Sequence, residues 1–221
     1  MNIIIFVHTC KLYEESRAKL IENTWANNRD NVVFVTDNKE STLKKNIFLN
    51  EDLHIYHSLN VIKVFQLWLS EYSEYDWFMM IDDDAYLFVD RLKSFLSFFN
   101  KDDPYMIGDF LNWIDHNTQF SYDYNAWNSG GPGIVFSKSA IQNYLQLIYT
   151  LPVATKFTNH DVWLRNIFLS SEKRDIKRVH CPGFYQYGED KLIKKYSKDS
   201  NELISIHLNG KMDYLNKYHE L

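Results

Sequence analysis

Asp76-Trp77-Phe78-Met79-Met80-Ile81-Asp82-Asp83-Asp84-Ala85-Tyr86 is an apolar run closed by three consecutive carboxylates. The unbroken stretch from Trp77 to Ile81 reads as a strand buried on both faces, the habit of strands in a parallel sheet. Open parallel sheets direct the carboxyl ends of their strands at a ligand crevice, so Asp82, Asp83 and Asp84 are expected there. Three such charges repel one another unless a cation sits among them. Hard divalent ions, Mn2+ or Mg2+, are the natural partners of these oxygens. The pattern alone is weak, since Asp fills 18 of 221 positions and a D-x-D then arises by chance about once per chain. An acidic helix N-terminus, favoured by the helix dipole, is the competing explanation. The preceding strand, the following apolar helix and the flanking Trp77 and Tyr86 favour a site.

Outward from this stretch, strand and helix signals alternate. Upstream, Val61, Phe65, Trp68 and Tyr72 are spaced by four, three and four, which predicts a helix with one apolar face. Before it, Val32 to Val35 reads as a buried strand ending at Thr36 and Asp37. Ile3 to Val7 reads as another, followed by a helix carrying Ala18, Ile21 and Trp25 on one face. Downstream, Leu92, Phe95, Leu96 and Phe99 share a helix face. Such alternation predicts an α/β fold, a Rossmann-like, mostly parallel sheet flanked by helices. The second half is less regular: a strand at Tyr105 to Ile107, a Trp- and Asn-rich stretch from Leu111 to Asn128, a glycine loop, and helices around Ala140 to Ile148 and Val162 to Leu169. No repeat or linker divides the chain, so residues 1–221 are expected to form one domain.

Composition narrows the function. At 45% hydrophobic and 24% charged, the chain can bury a sizeable core. Its 24 Lys+Arg against 29 Asp+Glu give a net charge of −5, and no dense basic stripe is present, which argues against nucleic acid as a partner. The longest apolar runs fall far short of the roughly 20 residues of a membrane helix, so no transmembrane segment is expected. Met1 and Asn2 lead directly into Ile3 to Val7, with no positive segment and no small-residue cleavage site. This resembles a strand more than a signal peptide and predicts a cytoplasmic protein. Two cysteines, Cys10 and Cys181, are too few for a disulfide scaffold and suit a reducing compartment. His8 near Cys10 and His180 beside Cys181 invite a zinc reading, but no C-x-x-C spacing supports it.

Further candidates lie in the second half. Ser129-Gly130-Gly131-Pro132-Gly133 holds three of the seven glycines, a concentration that lets backbone turn tightly and approach a ligand closely. His160 and Asp161 precede an apolar helix, where Asp161 could merely favour the N-terminal dipole. His207 sits in an alternating stretch, and a lone His is more often structural than a ligand. Trp113, Trp127 and Trp163 are candidates for stacking on an acceptor sugar, with the core as the equal alternative. Lys63 on the long helix could reach a diphosphate or could be a solvated lysine.

Together the segments Arg17 … Thr24-Trp25-Ala26, Val33-Phe34-Val35-Thr36-Asp37, Asp76 to Tyr86, Ser129 to Gly133, His160-Asp161-Val162 and Ile206-His207 resemble the Fringe-like beta-1,3-glycosyltransferases, the group that includes Fringe and the core-1 galactosyltransferases. The resemblance runs from about residue 3 to 208, and W-F-x-x-x-D-D-D-x-Y with the glycine loop is its most specific part. It implies a GT-A glycosyltransferase fold, with a nucleotide-sugar-binding half over about 1–110 and an acceptor-binding and catalytic half over about 111–221. It further implies a UDP-sugar donor and Mn2+ (or Mg2+) held by Asp84, Asp82 and His207, with Asp82 and Asp83 also contacting the donor. Asp161 matches the family's catalytic base, for inversion at the anomeric carbon. Gly130, Gly131, Thr36, Asp37 and Lys63 are carried as donor contacts, and Trp127, Trp163 and Gly133 as acceptor contacts. The chain departs from the family in Pro132, where Ala is usual, and in His160, where an acidic residue usually precedes the base.

The chemistry is coherent. Displacing a sugar from a nucleoside diphosphate develops charge that a divalent ion stabilises, and a carboxylate on the opposite face can take the acceptor's proton. The expected product is a beta-1,3-linked hexose or N-acetylhexosamine on a glycan. Relatives in eukaryotes are typically membrane-anchored and disulfide-bonded, so this chain suggests a microbial enzyme whose acceptor is a surface-glycan precursor. A lipid-linked acceptor would imply peripheral contact with the inner membrane face. A metal-dependent phosphodiesterase or nucleotidyltransferase, or a non-catalytic sugar-binding domain on the same fold, are the alternatives.

Overall fold

A computed structural model describes residues 2–50, 57–111, 126–150, 159–170, 175–188 and 202–219. In chain order the strands of its main sheet begin with β1 (Ile3–His8), β2 (Val32–Thr36), β3 (Asn46–Phe48) and β4 (Trp77–Asp82). A short β5 (Ala85–Leu87) follows outside that sheet, then β6 (Tyr105–Gly108) returns to it. A two-stranded ribbon pairs β7 (Phe110–Leu111) with β8 (Trp127–Asn128). The main sheet is completed by β9 (Ile134–Ser137) and β10 (Lys177–His180), and a small sheet by β11 (Phe184–Tyr185) and β12 (Ser205–His207).

The seven strands lie in the order β10-β6-β9-β4-β1-β2-β3. All neighbours are parallel except β9, which runs against both β4 and β6. The expected α/β sheet is therefore present, mostly parallel with one reversed strand. Strands from both halves of the chain share it.

Its faces follow from the period of two along each strand. Ile3, Ile5, Val7, Trp77, Met79 and Ile81 enter one core, and Ile4, Phe6, Phe78 and Met80 the other. The first core is closed by α1 (Lys19–Asn23), α3 (Val89–Leu96) and α6 (Tyr214–His219), the second by α2 (His57–Glu71), α4 (Lys138–Thr150) and α5 (His160–Ser170). Each large apolar side chain removed from water this way contributes about 1.5–3 kcal/mol. No described helix is long and apolar enough to cross a membrane.

Two local expectations are corrected. The Asp triplet does not lead straight into a helix: Asp83 and Asp84 form a turn into β5, and α3 starts only at Val89. An acidic helix N-terminus therefore does not explain the carboxylates. The same helix stops at Leu96, short of Phe99, which packs on the core from beyond its end.

Candidate active site

The chain moves from β1 to β2 and β3 on one side and then crosses to β4 on the other. Between β1 and β4 the strand order reverses, which opens a crevice at the carboxyl ends. Register pairs His8 with Asp82 there. Because β9 runs the other way, its preceding glycine loop lies at the same edge.

The small sheet supplies the imidazole. In its order β11-β12-β5, His207 pairs with Ala85 and Tyr185 with Ile206. This register sets His207 beside Asp84 on one flank and Gln186 on the other. His207 Nε2 lies 2.9 Å from Asp84 Oδ1, and Leu208 N–H donates to the Asp84 carbonyl at 2.7 Å. Asp82, Asp84 and His207 each offer a ligand atom, all within 4.8 Å of one another.

Asp83 turns away from this trio. Its Oδ2 accepts the Thr9 hydroxyl at 2.7 Å, and Arg17 Nη1 lies 3.2 Å from both Asp83 Oδ1 and Asp84 Oδ2. Arg17 rises from a π-helical turn, Glu14–Ala18, ahead of α1. Burial pushes the Asp83 carboxyl up to about 7, against the Thr9 hydrogen bond and the Arg17 charge that pull it down. For Asp84 burial pushes upward too, but the His207 hydrogen bond and charge and the Arg17 charge outweigh it and hold the carboxyl below its ordinary value. His207 is raised in turn: burial lowers it, and Asp84 more than offsets this. Two carboxylates and a neutral imidazole form an oxygen-rich donor set with excess negative charge, which suits Mn2+ or Mg2+.

The glycine loop threads between this cluster and Asp161. A Cβ on Gly131 would stand 2.6 Å from His207 Nδ1, and one on Gly130 2.4 Å from His160 Nε2. Both positions thus require glycine by close approach. Gly130 N–H donates to Asp161 Oδ2 at 3.2 Å, while Val162 N–H donates to Oδ1 at 2.7 Å. Consecutive residues of one loop therefore touch the candidate base and the candidate metal ligand. Ser205 Oγ donates to the Pro132 carbonyl at 2.6 Å and ties β12 to the same loop.

Other expected residues are placed differently. Gly133 has φ +103, and a Cβ there would meet Met79 Cε at 2.3 Å. It turns the chain into β9 beside β4, where Met79 and the Met80 carbonyl leave no room for a side chain. Trp163 is 1% exposed within the core beneath α5, so it has no face left for stacking. Trp127 is also buried, on β8. Thr36 and Asp37 close β2 at the crevice edge, where Asp37 Oδ1 accepts Lys11 N–H at 2.6 Å. Lys63 is half-buried on α2. Trp113 lies outside the described residues. Cys10 and Cys181 are unbridged, buried thiols in the two separate cores, so they cannot share a zinc ion.

Residue types alone gave no role to Thr9, Arg17, Ser129 or Gln186. Arg17 was visible only as part of a motif, because nothing in its neighbours shows that a helix turn will aim it at two aspartates 66 and 67 residues away. A cavity of about 980 Å³ is lined by Tyr13, Arg17, Lys211, Tyr214 and Lys217 among others.

A sheet in this order with its carboxylates at the β1/β4 reversal has the fold of a glycosyltransferase. A solved glycosyltransferase involved in the glycosylation of the major capsid of PBCV-1 matches it over 100% of this chain and 99% of that one, with a TM-score of 0.53 at 15% identity. The chain belongs to the Fringe-like family, whose model matches residues 1–190. Over 145 residues it is 24% identical to a beta-1,3-glucosyltransferase of Mus musculus and 22% identical to the Homo sapiens one, covering 65% of this chain. Those matches span 29% and 28% of the relatives' own length.

Proposed function

We propose that this chain transfers a hexose or N-acetylhexosamine from a UDP-sugar to a glycan hydroxyl, with a divalent ion and with inversion, to form a beta-1,3 linkage. The observation that carries the reading is the loop whose Gly130 binds Asp161 and whose Gly131 packs against His207. In this reading Asp161, as proton acceptor, and the ligand His207 flank one backbone segment, which supports a single displacement. The similarity to beta-1,3-glucosyltransferases supports the linkage and makes glucose the first donor sugar to try.

In this reading Asp82, Asp84 and His207 hold Mn2+ or Mg2+. When bound, the ion stabilises the negative charge that develops on the leaving diphosphate. Arg17, Lys211 and Lys217 line the adjoining cavity with cations that suit the same phosphates. Thr36 and Asp37, at the end of β2, and Lys63 are assigned to the donor side. Asp161 accepts the proton of the attacking hydroxyl, and its hydrogen bonds to Gly130 and Val162 fix its orientation. Attack from the face opposite the diphosphate inverts the anomeric carbon, so a UDP-alpha-sugar yields a beta product. The two buried thiols support a reducing, cytoplasmic setting, with a glycan precursor, lipid-linked at a membrane face, as the acceptor.

The experiment is incubation with UDP-glucose and related donors, with a panel of glycan acceptors, in Mn2+ or in chelator. The expected result is metal-dependent release of UDP with a beta-linked product by NMR. Release of UMP instead would assign a phosphodiesterase, and an alpha linkage would remove the inverting mechanism.

A further inference from the structure

His207 is held by more than Asp84. Its Nδ1 lies 2.9 Å from Gln186 Nε2, and the opposite end of that amide, Oε1, accepts the hydroxyl of Ser129 at the head of the glycine loop. Ser129, Gln186, His207 and Asp84 thus form one continuous hydrogen-bonded chain. The small sheet fixes the two central members: Tyr185 and Ile206 pair across β11 and β12, so Gln186 and His207 follow as neighbours.

We propose that Gln186 is the positioning residue for the metal-ligating nitrogen of His207, and that through Ser129 it couples metal loading to the glycine loop. The proposal rests on the metal site proposed above. With the amide oriented so that its nitrogen donates to Nδ1, the neutral ring carries its hydrogen on Nε2 and donates it to Asp84. An ion bound at Nε2 needs the lone pair there. The ring hydrogen then resides on Nδ1 and requires an acceptor. Rotation of the Gln186 amide by half a turn supplies it: Oε1 accepts from Nδ1–H, and Nε2 donates to the Ser129 oxygen. The Ser129 hydroxyl reverses from donor to acceptor, so the change reaches the residue next to Gly130, whose N–H binds Asp161. No covalent bond other than the ring N–H is altered, and the number of protons is conserved.

The side chains that fit position 186 are thereby separated by sign. Leucine can do neither task. Glutamate can only accept, and it favours the metal-ready ring.

Mn2+ titrations followed by electron paramagnetic resonance, without nucleotide, should show Gln186→Leu binding at least about tenfold more weakly than the native chain, the range for losing an outer-shell partner. Gln186→Glu should bind as tightly or more tightly. In 15N NMR of His207, the native chain should carry hydrogen on Nε2 without metal and on Nδ1 with Mg2+, and Gln186→Glu should carry it on Nδ1 before metal is added. Ser129→Ala should weaken Mn2+ binding less, and its effect should vanish in the Gln186→Leu background. The main-chain carbonyl of Gln186 also faces the ring. If Gln186→Leu, folded by near-UV circular dichroism, binds Mn2+ like the native chain, that carbonyl suffices and the proposal is overturned. His207→Ala separates the levels: if it too leaves Mn2+ binding intact, the metal site itself is wrong, whereas weakening there with none in Gln186→Leu refutes only the role of Gln186.

Discussion

At the scale of single residues, the carboxylates differ by environment rather than by type. Asp84 is held ionised by His207 and Arg17 and is available as a ligand, so Asp84→Asn should abolish metal-dependent binding of UDP in calorimetry while leaving the fold intact. Asp83 is the opposite case. Its folded-state value of about 7 lies above that of an unfolded aspartate, about 3.9. Below about pH 4 the group is protonated in both states and contributes nothing; between about pH 4 and 7 the unfolded chain loses the proton first, so stability falls as pH rises. His207, raised by Asp84, also lowers stability with rising pH, through its own folded value. Comparison of native chain and Asp83→Asn in chelator isolates the first effect. The variant should lose part of the fall in melting temperature between pH 5 and 8, and gain on the order of 1 kcal/mol or more at pH 8. Asp161→Asn keeps the size of the side chain and one of its two bonds from backbone N–H groups but cannot accept a proton, so turnover should drop about a hundredfold or more with donor affinity unchanged. The aspartates stood out in the sequence as charged groups next to apolar runs, whereas Arg17 and His207 gained weight only within the family motif; protonation was not legible, because burial and partners set it.

At the scale of elements, the glycine loop shows how a motif can mix two roles. Gly130 and Gly131 are needed because rings of His160 and His207 stand where a Cβ would go, whereas Gly133 is needed for its backbone angle and for Met79. The roles separate experimentally. Gly133→Ala should cost stability, about 2 kcal/mol by denaturant unfolding, from backbone strain and overpacking. Gly131→Ala should instead displace His207 and weaken Mn2+ binding by more than it lowers stability. Glycine density and the family motif marked the loop in the sequence, but neither showed which glycine is needed for close approach and which for its backbone angle. The elements themselves were legible where apolar periodicity was strong, as in β1, β2, β4 and α2. They were misread after Asp84, because β5 is three residues long and exists through its pairing with β12, more than a hundred residues away.

For the whole molecule, the site joins the main sheet, the small sheet, the glycine loop and α5, so a ligand that binds it should stabilise the entire fold. UDP with Mn2+ at about 100 times its dissociation constant adds about 2.7 kcal/mol, which for a chain of this size corresponds to a rise in melting temperature of roughly 5–10 °C. Chelator should abolish the rise, and a thermal shift unaffected by chelator would contradict metal-dependent binding. The sequence by itself determined the α/β class and the strand that ends in carboxylates, while the roles proposed for Asp161, Asp82, Asp84 and His207 came from its resemblance to a family. Unbroken apolar runs, helical spacing and charge are local properties that each segment carries alone. Only the tertiary structure decided that β9 runs backwards to place its glycines at the crevice, that Arg17 and Thr9 engage Asp83, that Trp163 is core, and that Gln186 stands behind His207. Each of these depends on strand order and register between segments distant in the chain, and the register is set by the joint burial of two sheet faces and one small sheet rather than by any single stretch.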